Sequence, residues 1–162
     1  INDDDLWHLC NNFNRPVFVD TKKRRLFHKD NVFWKINKKE YDLLDKDHIP
    51  NGSHLIVTLG SRGVMWNGLI FQPKLVKVFD VCGAGDTFLA ALVYEFLKTS
   101  NMQKSIDLAN RAAAISVTHP GAYYLNKQDI ESLYGGIDGQ TNSQQSGSDA
   151  HEIAGLVERT HM

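Results

Sequence analysis

Apolar residues along this chain alternate between short continuous runs and helical spacing, and each change of pattern marks an element. Leu6, Leu9, Cys10 and Phe13 fall at i, i+3, i+4 and i+7, one stripe of a helix that Asn2 or an Asp of residues 3–5 can cap. Pro16 ends that segment. Val17-Phe18-Val19, closing on Asp20, and Val32-Phe33-Trp34 are runs of the kind found in strands buried on both faces. Asn37 followed three residues later by Glu40 predicts a capped helix start. Leu55-Ile56-Val57-Thr58-Leu59, with Asn51-Gly52 before it and Gly60 and Gly63 after it, is the clearest strand and should be central. Val64-Met65-Trp66 and Leu69-Ile70-Phe71 flank Asn67-Gly68, which predicts a hairpin closed by a type I′ turn. Residues 76–79 read as one further strand. From Asp86 the period turns helical: Phe88, Leu89, Leu92, Val93, Phe96 and Leu97 form one wide apolar face. A second long helix, about 102–118, carries Ala109, Ala112, Ala113 and Ser116, small residues that permit close packing.

This order predicts an α/β unit over residues 1–134, with mostly parallel strands and helices on the faces of the sheet. Residues 135–150 are rich in Gly, Ser, Gln and Asn, with Ile137 and Ala150 as their apolar members, and read as a flexible linker. In the tail, 151–162, Ile153, Ala154, Leu156 and Val157 could form one short helix, stable only if docked.

Composition narrows the class. The 162 residues are 42% apolar and 23% charged, which suits a globular chain with a core, and the formal charge of -1 gives no field that would recruit nucleic acid or an anionic membrane. No apolar run approaches the roughly 20 residues of a membrane span, and the N-terminus lacks the pattern of a signal peptide. Cys10 and Cys82 are too few for a disulfide framework. These features favour a cytoplasmic location. A first residue that is Ile rather than Met hints at a fragment.

Candidate chemistry concentrates in Asp80-Val81-Cys82-Gly83-Ala84-Gly85-Asp86-Thr87, directly before the apolar helix. A glycine turn entering a helix presents unpaired N–H groups at the positive end of the helix dipole, suited to a phosphate. A carboxylate there opposes simple phosphate binding, yet suits removal of a proton from an attacking hydroxyl. Asp86 as a plain helix cap is the alternative. The Walker pattern is absent, and Gly83-Ala84-Gly85-Asp86-Thr87-Phe88 lacks the third glycine of the dinucleotide fingerprint.

The segment resembles the Asp-Thr-x-Gly-Ala-Gly-Asp signature of the ribokinase-like (PfkB) carbohydrate kinases. Three further likenesses follow in family order: Val57 to Gly63 resembles the strand and glycine turn beside the nucleotide, Asn37-Lys38-Lys39-Glu40 the Asn-x-x-Glu motif, and residues 108–114 the late helix whose Asn lies near adenine. Within the family, Val17 to Lys23 and Trp34 to Glu40 look most like the kinase domain of D-glycero-D-manno-heptose 7-phosphate kinases, with Ile36 where their pattern has Pro. The resemblance implies a three-layer α/β sandwich, of which this chain holds the C-terminal portion. It implies ATP and magnesium as cofactors and a sugar or sugar phosphate as acceptor.

Position by position, it makes Asp86 the catalytic base and assigns the N–H groups of Gly83, Ala84, Gly85 and Asp86 to an anion hole. Thr58, Gly60 and Gly63 would line the nucleotide, Asn110 would sit by the base, and Asn37 and Glu40 would organise magnesium through water; ordinary strand-end and helix-surface chemistry is the alternative for the nucleotide residues, and helix capping for Asn37 and Glu40. Cys82 departs from the family's small hydroxyl residue and reads as a packing substitute. The basic run 22–25 could hold an anionic substrate or form a solvated face. The family's N-terminal, sugar-binding portion has no counterpart here, so an upstream segment or another chain would complete the sugar site. A noncatalytic, kinase-derived interaction or regulatory module is the other class that fits.

Overall fold

A computed structural model of the chain describes residues 2–45, 47 and 49–135. Five strands form one sheet in the order β1 (Val17–Asp20), β2 (Val32–Asn37), β3 (Leu55–Thr58), β4 (Val64–Trp66) and β5 (Leu69–Phe71). The first three pair in parallel, and β4 runs antiparallel to both β3 and β5, so β4 alone is reversed. β3 is the middle strand, as its unbroken apolar run predicts. Asn67 and Gly68 both take positive φ (50° and 75°), the geometry that twists a two-residue hairpin turn to match its strands.

Side-chain alternation divides the core between the two faces of the sheet. Trp34, Ile36, Leu55 and Val57 face one layer, where Leu6 and Cys10 of α1 (Asp3–Asn11) and Leu44, just beyond α2 (Lys38–Asp42), complete a buried cluster. Ile56 and Val64 face the other, against Phe88 and Leu92 of α3 (Ala84–Thr99) and Met102, Ile106 and Ala109 of α4 (Met102–Ser116). The result is the expected helix–sheet–helix sandwich. Asn2 caps α1 by accepting the Asp5 N–H, and Asn101 caps α4 by accepting that of Lys104.

Several expectations change. Leu9 and Phe13 lie exposed, so of the expected stripe Leu6 and Cys10 are the members that α1 buries; Leu97, assigned to the buried stripe of α3, is 64% exposed. Residues 76–79 do not form a strand. Phe79 and Asp80 instead donate their N–H groups to the Val117 carbonyl beyond α4, and Leu75, Val78, Phe79 and Val81 are exposed. An apolar-rich segment such as Val76-Lys77-Val78-Phe79 is thus no warrant for a strand where no ladder partner lies beside it. A fifth helix, α5 (Lys127–Gly135), was not anticipated, and it includes Gly135, where the linker was expected to begin. Its sequence signal is Asn126 with Asp129, which exchange side-chain-to-backbone bonds in both directions (3.1 and 2.9 Å). Leu133 packs on Leu108 and Ala112 of α4. The rest of the expected linker and the tail fall outside the described residues. Among the described residues no helix is long and apolar enough to cross a membrane.

Burial predicts unequal costs of truncation. Ile56→Ala, at a position with no exposed surface, should lower unfolding stability by about 2–5 kcal/mol, whereas Leu97→Ala should stay within about 0.5 kcal/mol of the parent. Chemical denaturation of both variants measures the contrast; equal losses would refute the assignment of α3's buried face.

Candidate functional site

Because β1, β2 and β3 are parallel, their carboxyl ends lie along one edge, the edge where open α/β sheets bind ligands. That edge carries Asp20, Asn37 and Thr58, and Asn37 and Thr58 are direct register partners. The start of α3 reaches the same edge: a Cβ built on Gly85 would lie 3.1 Å from Nζ of Lys35, the β2 residue paired with Asp20. The glycine-rich turn and the strand ends are therefore neighbours in space.

The turn is built by backbone conformation and by Asp80. Gly83, at φ 73°, sits in the left-handed region before α3 and provides no side-chain cap. Asp86 occupies the third position of the helix, is exposed, and accepts no hydrogen bond from a described residue, so it does not act as a plain cap. The Ala84 N–H is engaged by the Val81 carbonyl at 3.2 Å. The N–H groups of Gly83, Gly85 and Asp86 have no such partner among the described residues and are the orphan donors of the first turn.

Asp80 holds this conformation. Its Oδ1 accepts the Cys82 N–H and its Oδ2 the Gly121 N–H, both at 2.9 Å, tying the turn to the segment after α4. These backbone donors, Cys82 first, lower the pKa of its carboxyl from the ordinary aspartate value, against an opposing contribution from desolvation. Sequence alone placed Asp80 in the motif without assigning it this task.

Two of the four expected nucleotide residues, Gly63 and Asn110, meet at one atom, the carbonyl oxygen of Phe71 in β5. Gly63 has φ 93°, and a Cβ there would lie 2.0 Å from that oxygen, so only glycine fits. Asn110 is buried and donates its Nδ2 to the same oxygen at 3.0 Å. Gly60, at φ 63°, opens the short helical turn Gly60–Arg62, and the Leu59 N–H closes onto the Gly63 carbonyl at 2.7 Å. Thr58 directs its hydroxyl to the Ile36 carbonyl at 3.3 Å. Asn37 and Glu40 form a reciprocal capping box on α2: Asn37 Oδ1 accepts the Glu40 N–H at 3.0 Å, and Glu40 Oε2 accepts the Asn37 N–H at 2.8 Å. No group of three metal-ligating side chains occurs among the described residues. In the basic run, Lys23 pairs with Asp3 and Arg25 with Asp45, which favours a surface role over a substrate clamp.

The family model described as pfkB family carbohydrate kinase matches residues 28–129. Over 105 residues the chain is 37% identical to the bifunctional protein HldE of Nitratiruptor, covering 60% of this chain and 20% of that protein. Among solved structures, a ribokinase from Thermotoga maritima superposes with a TM-score of 0.63 at 24% identity, over 78% of this chain and 51% of its own. The ribokinase of Arabidopsis thaliana, solved with ribose and ATP, gives a TM-score of 0.55 at 22% identity, over 73% and 47%. Such identities show a shared fold. The chain spans about a fifth of the length of the curated relatives it matches and about half that of these ribokinases.

Two substitutions test this architecture. Gly63→Ala should cost at least about 2 kcal/mol of stability, from backbone strain and the clash with Phe71 together; a parental denaturation midpoint would contradict the crowding seen there. Asp80→Asn can satisfy only one of the two N–H donors and should melt lower than the parent at pH 7. A folded-state pKa below the unfolded value of about 3.9 makes the Asp80 contribution complete above that pH and lost as pH falls through the folded value. The gap in melting temperature should therefore narrow below about pH 4, and a gap that stays constant into acid would exclude the carboxylate as its source.

Proposed function

The chain belongs to the pfkB family of carbohydrate kinases, and from that premise we propose that it carries the nucleotide site, anion hole and catalytic base for ATP-dependent phosphoryl transfer to a hydroxyl of a sugar or sugar phosphate. The observation that supports this most directly is the unengaged Asp86 carboxylate beside the orphan N–H donors of Gly83, Gly85 and Asp86. In the transfer, the acceptor hydroxyl loses its proton to Asp86, its oxygen forms a bond to the γ-phosphorus, and the bridging P–O bond breaks to release ADP. The first-turn N–H groups stabilise the charge on the transferring group, and they do so most where that charge develops. Thr58, Gly60 and Gly63 border the nucleotide, and Asn110 shapes its base-side wall by fixing Phe71.

Magnesium would neutralise part of the phosphate charge. Asn37 and Glu40 suit contact with it through water: their capping box engages Glu40 Oε2, and Oε1 accepts no bond from a described residue. The likeness of Val17 to Lys23 and Trp34 to Glu40 to heptose 7-phosphate kinases, with the similarity to HldE, favours heptose 7-phosphate as acceptor. The sugar-binding part of the domain is supplied by an upstream segment or a second chain. Exposed Leu75, Val78, Phe79 and Val81, directly before the glycine turn, offer the apolar surface it would cover.

The test is sugar-dependent ADP release by the complete protein, measured beside nucleotide titration. Asp86→Asn should reduce turnover by on the order of a hundredfold or more while ATP affinity stays within about threefold, because the amide keeps the shape and loses the basic oxygen. Near-parental turnover would remove Asp86 as the base. A complete protein that bound neither ATP nor sugar would make the noncatalytic interaction module the better reading.

A further inference from the structure

Lys35 occupies a position where sheet alternation calls for an apolar side chain. Its neighbours on that face, Phe33 in β2 and Ile56 in β3, pack into the cluster with Phe88 and Leu92. Lys35 is nevertheless 6% exposed, and its Nζ lies 2.6 Å from Asp20 Oδ2, with the Asp20 side chain 35% exposed. The other lysines in ion pairs with described residues are more exposed, from 28% to 92% by side chain.

The far end of this buried lysine lies against Gly85, 3.1 Å from where a Cβ would be. An ammonium beside the first turn of a helix meets the positive end of the helix dipole, an unfavourable placement. Burial adds the cost of desolvating the charge. Asp20 offsets these costs in part, since it shares its charge with solvent at the strand end. An anion arriving at the orphan N–H groups would reverse the sign of the first penalty, making lysine, dipole and N–H donors act together.

We propose that Lys35, braced by Asp20 against Gly85, is a positioning residue of the phosphate turn: it supplies fixed positive charge behind the first turn of α3 and strengthens the hold of that turn on a phosphoryl group. This rests on the kinase reading above and adds to it a charged group outside the hole formed by the N–H groups of Gly83, Gly85 and Asp86. Glycine at position 85 then has a second function, leaving space for the ammonium as well as for the anion.

The experiment titrates the chain with inorganic tripolyphosphate at low ionic strength, where surface screening is weak, and separately with adenosine as an uncharged probe. Lys35→Met should bind tripolyphosphate on the order of tenfold more weakly, with adenosine affinity unchanged, and Lys35→Arg should restore most of the loss. Should Lys35→Met fail to fold, Lys35→Met combined with Asp20→Asn removes the stranded carboxylate and serves in its place. Parental tripolyphosphate affinity in the folded methionine variant overturns the proposal, as does a parent chain that binds no tripolyphosphate. Equal loss of adenosine also overturns it, because a purely structural role would damage both. Sugar-dependent turnover of Asp86→Asn in the complete protein separates the two readings. An inactive Asp86 variant beside an indifferent Lys35 variant retains the kinase and discards the lysine, whereas lysine-dependent anion binding without any transfer does the reverse.

Discussion

The close approach of the first turn of α3 to the end of β2 is the constraint on which the candidate site depends. It exists because residue 85 has no side chain: Lys35 Nζ occupies the space beside it. A bulkier residue would have to displace either the helix, whose Phe88 and Leu92 are locked into the core, or an ammonium already held by Asp20. Orphan N–H donors, a carboxylate and the ends of three parallel strands are thereby brought to one edge, although they come from segments far apart in the chain.

Two polar junctions keep that edge in shape. Asp80 joins the glycine turn to Gly121 after α4, while Asn110, inside α4, holds the Phe71 carbonyl against which Gly63 is packed. Both fasten helix α4, or the segment that follows it, to the loops along the site. Loss of a buried hydrogen bond such as that of Asn110 typically costs about 1–3 kcal/mol, and both residues affect the site through backbone position as well as through any contact with a ligand.

The strongly patterned elements were legible in the sequence for simple reasons. The run from Leu55 to Leu59, the Asn67-Gly68 turn and the apolar stripe beginning at Phe88 each combine period with punctuation. The Asn37–Glu40 box was legible as a cap as well as a motif, and capping is the role visible in the fold. Residues 76–79 misled because strand composition does not disclose the absence of a neighbouring strand. α5 was overlooked because it buries little beyond Leu133, leaving its periodicity weak. Asn110 could be flagged as polar on a helix, but its bond to Phe71 spans 39 residues of sequence. The contact between Lys35 and Gly85 is likewise tertiary, visible only once β2 and α3 are placed side by side.

The central claim is that phosphate binds the first turn of α3 at the carboxyl edge of the sheet. Backbone amide NMR during ATP titration of the chain tests it most directly. The account predicts saturable shifts that are largest at the amides of Gly83, Gly85 and Asp86, the donors without partners among the described residues. Saturable binding that moved other amides and left these three unchanged would contradict it.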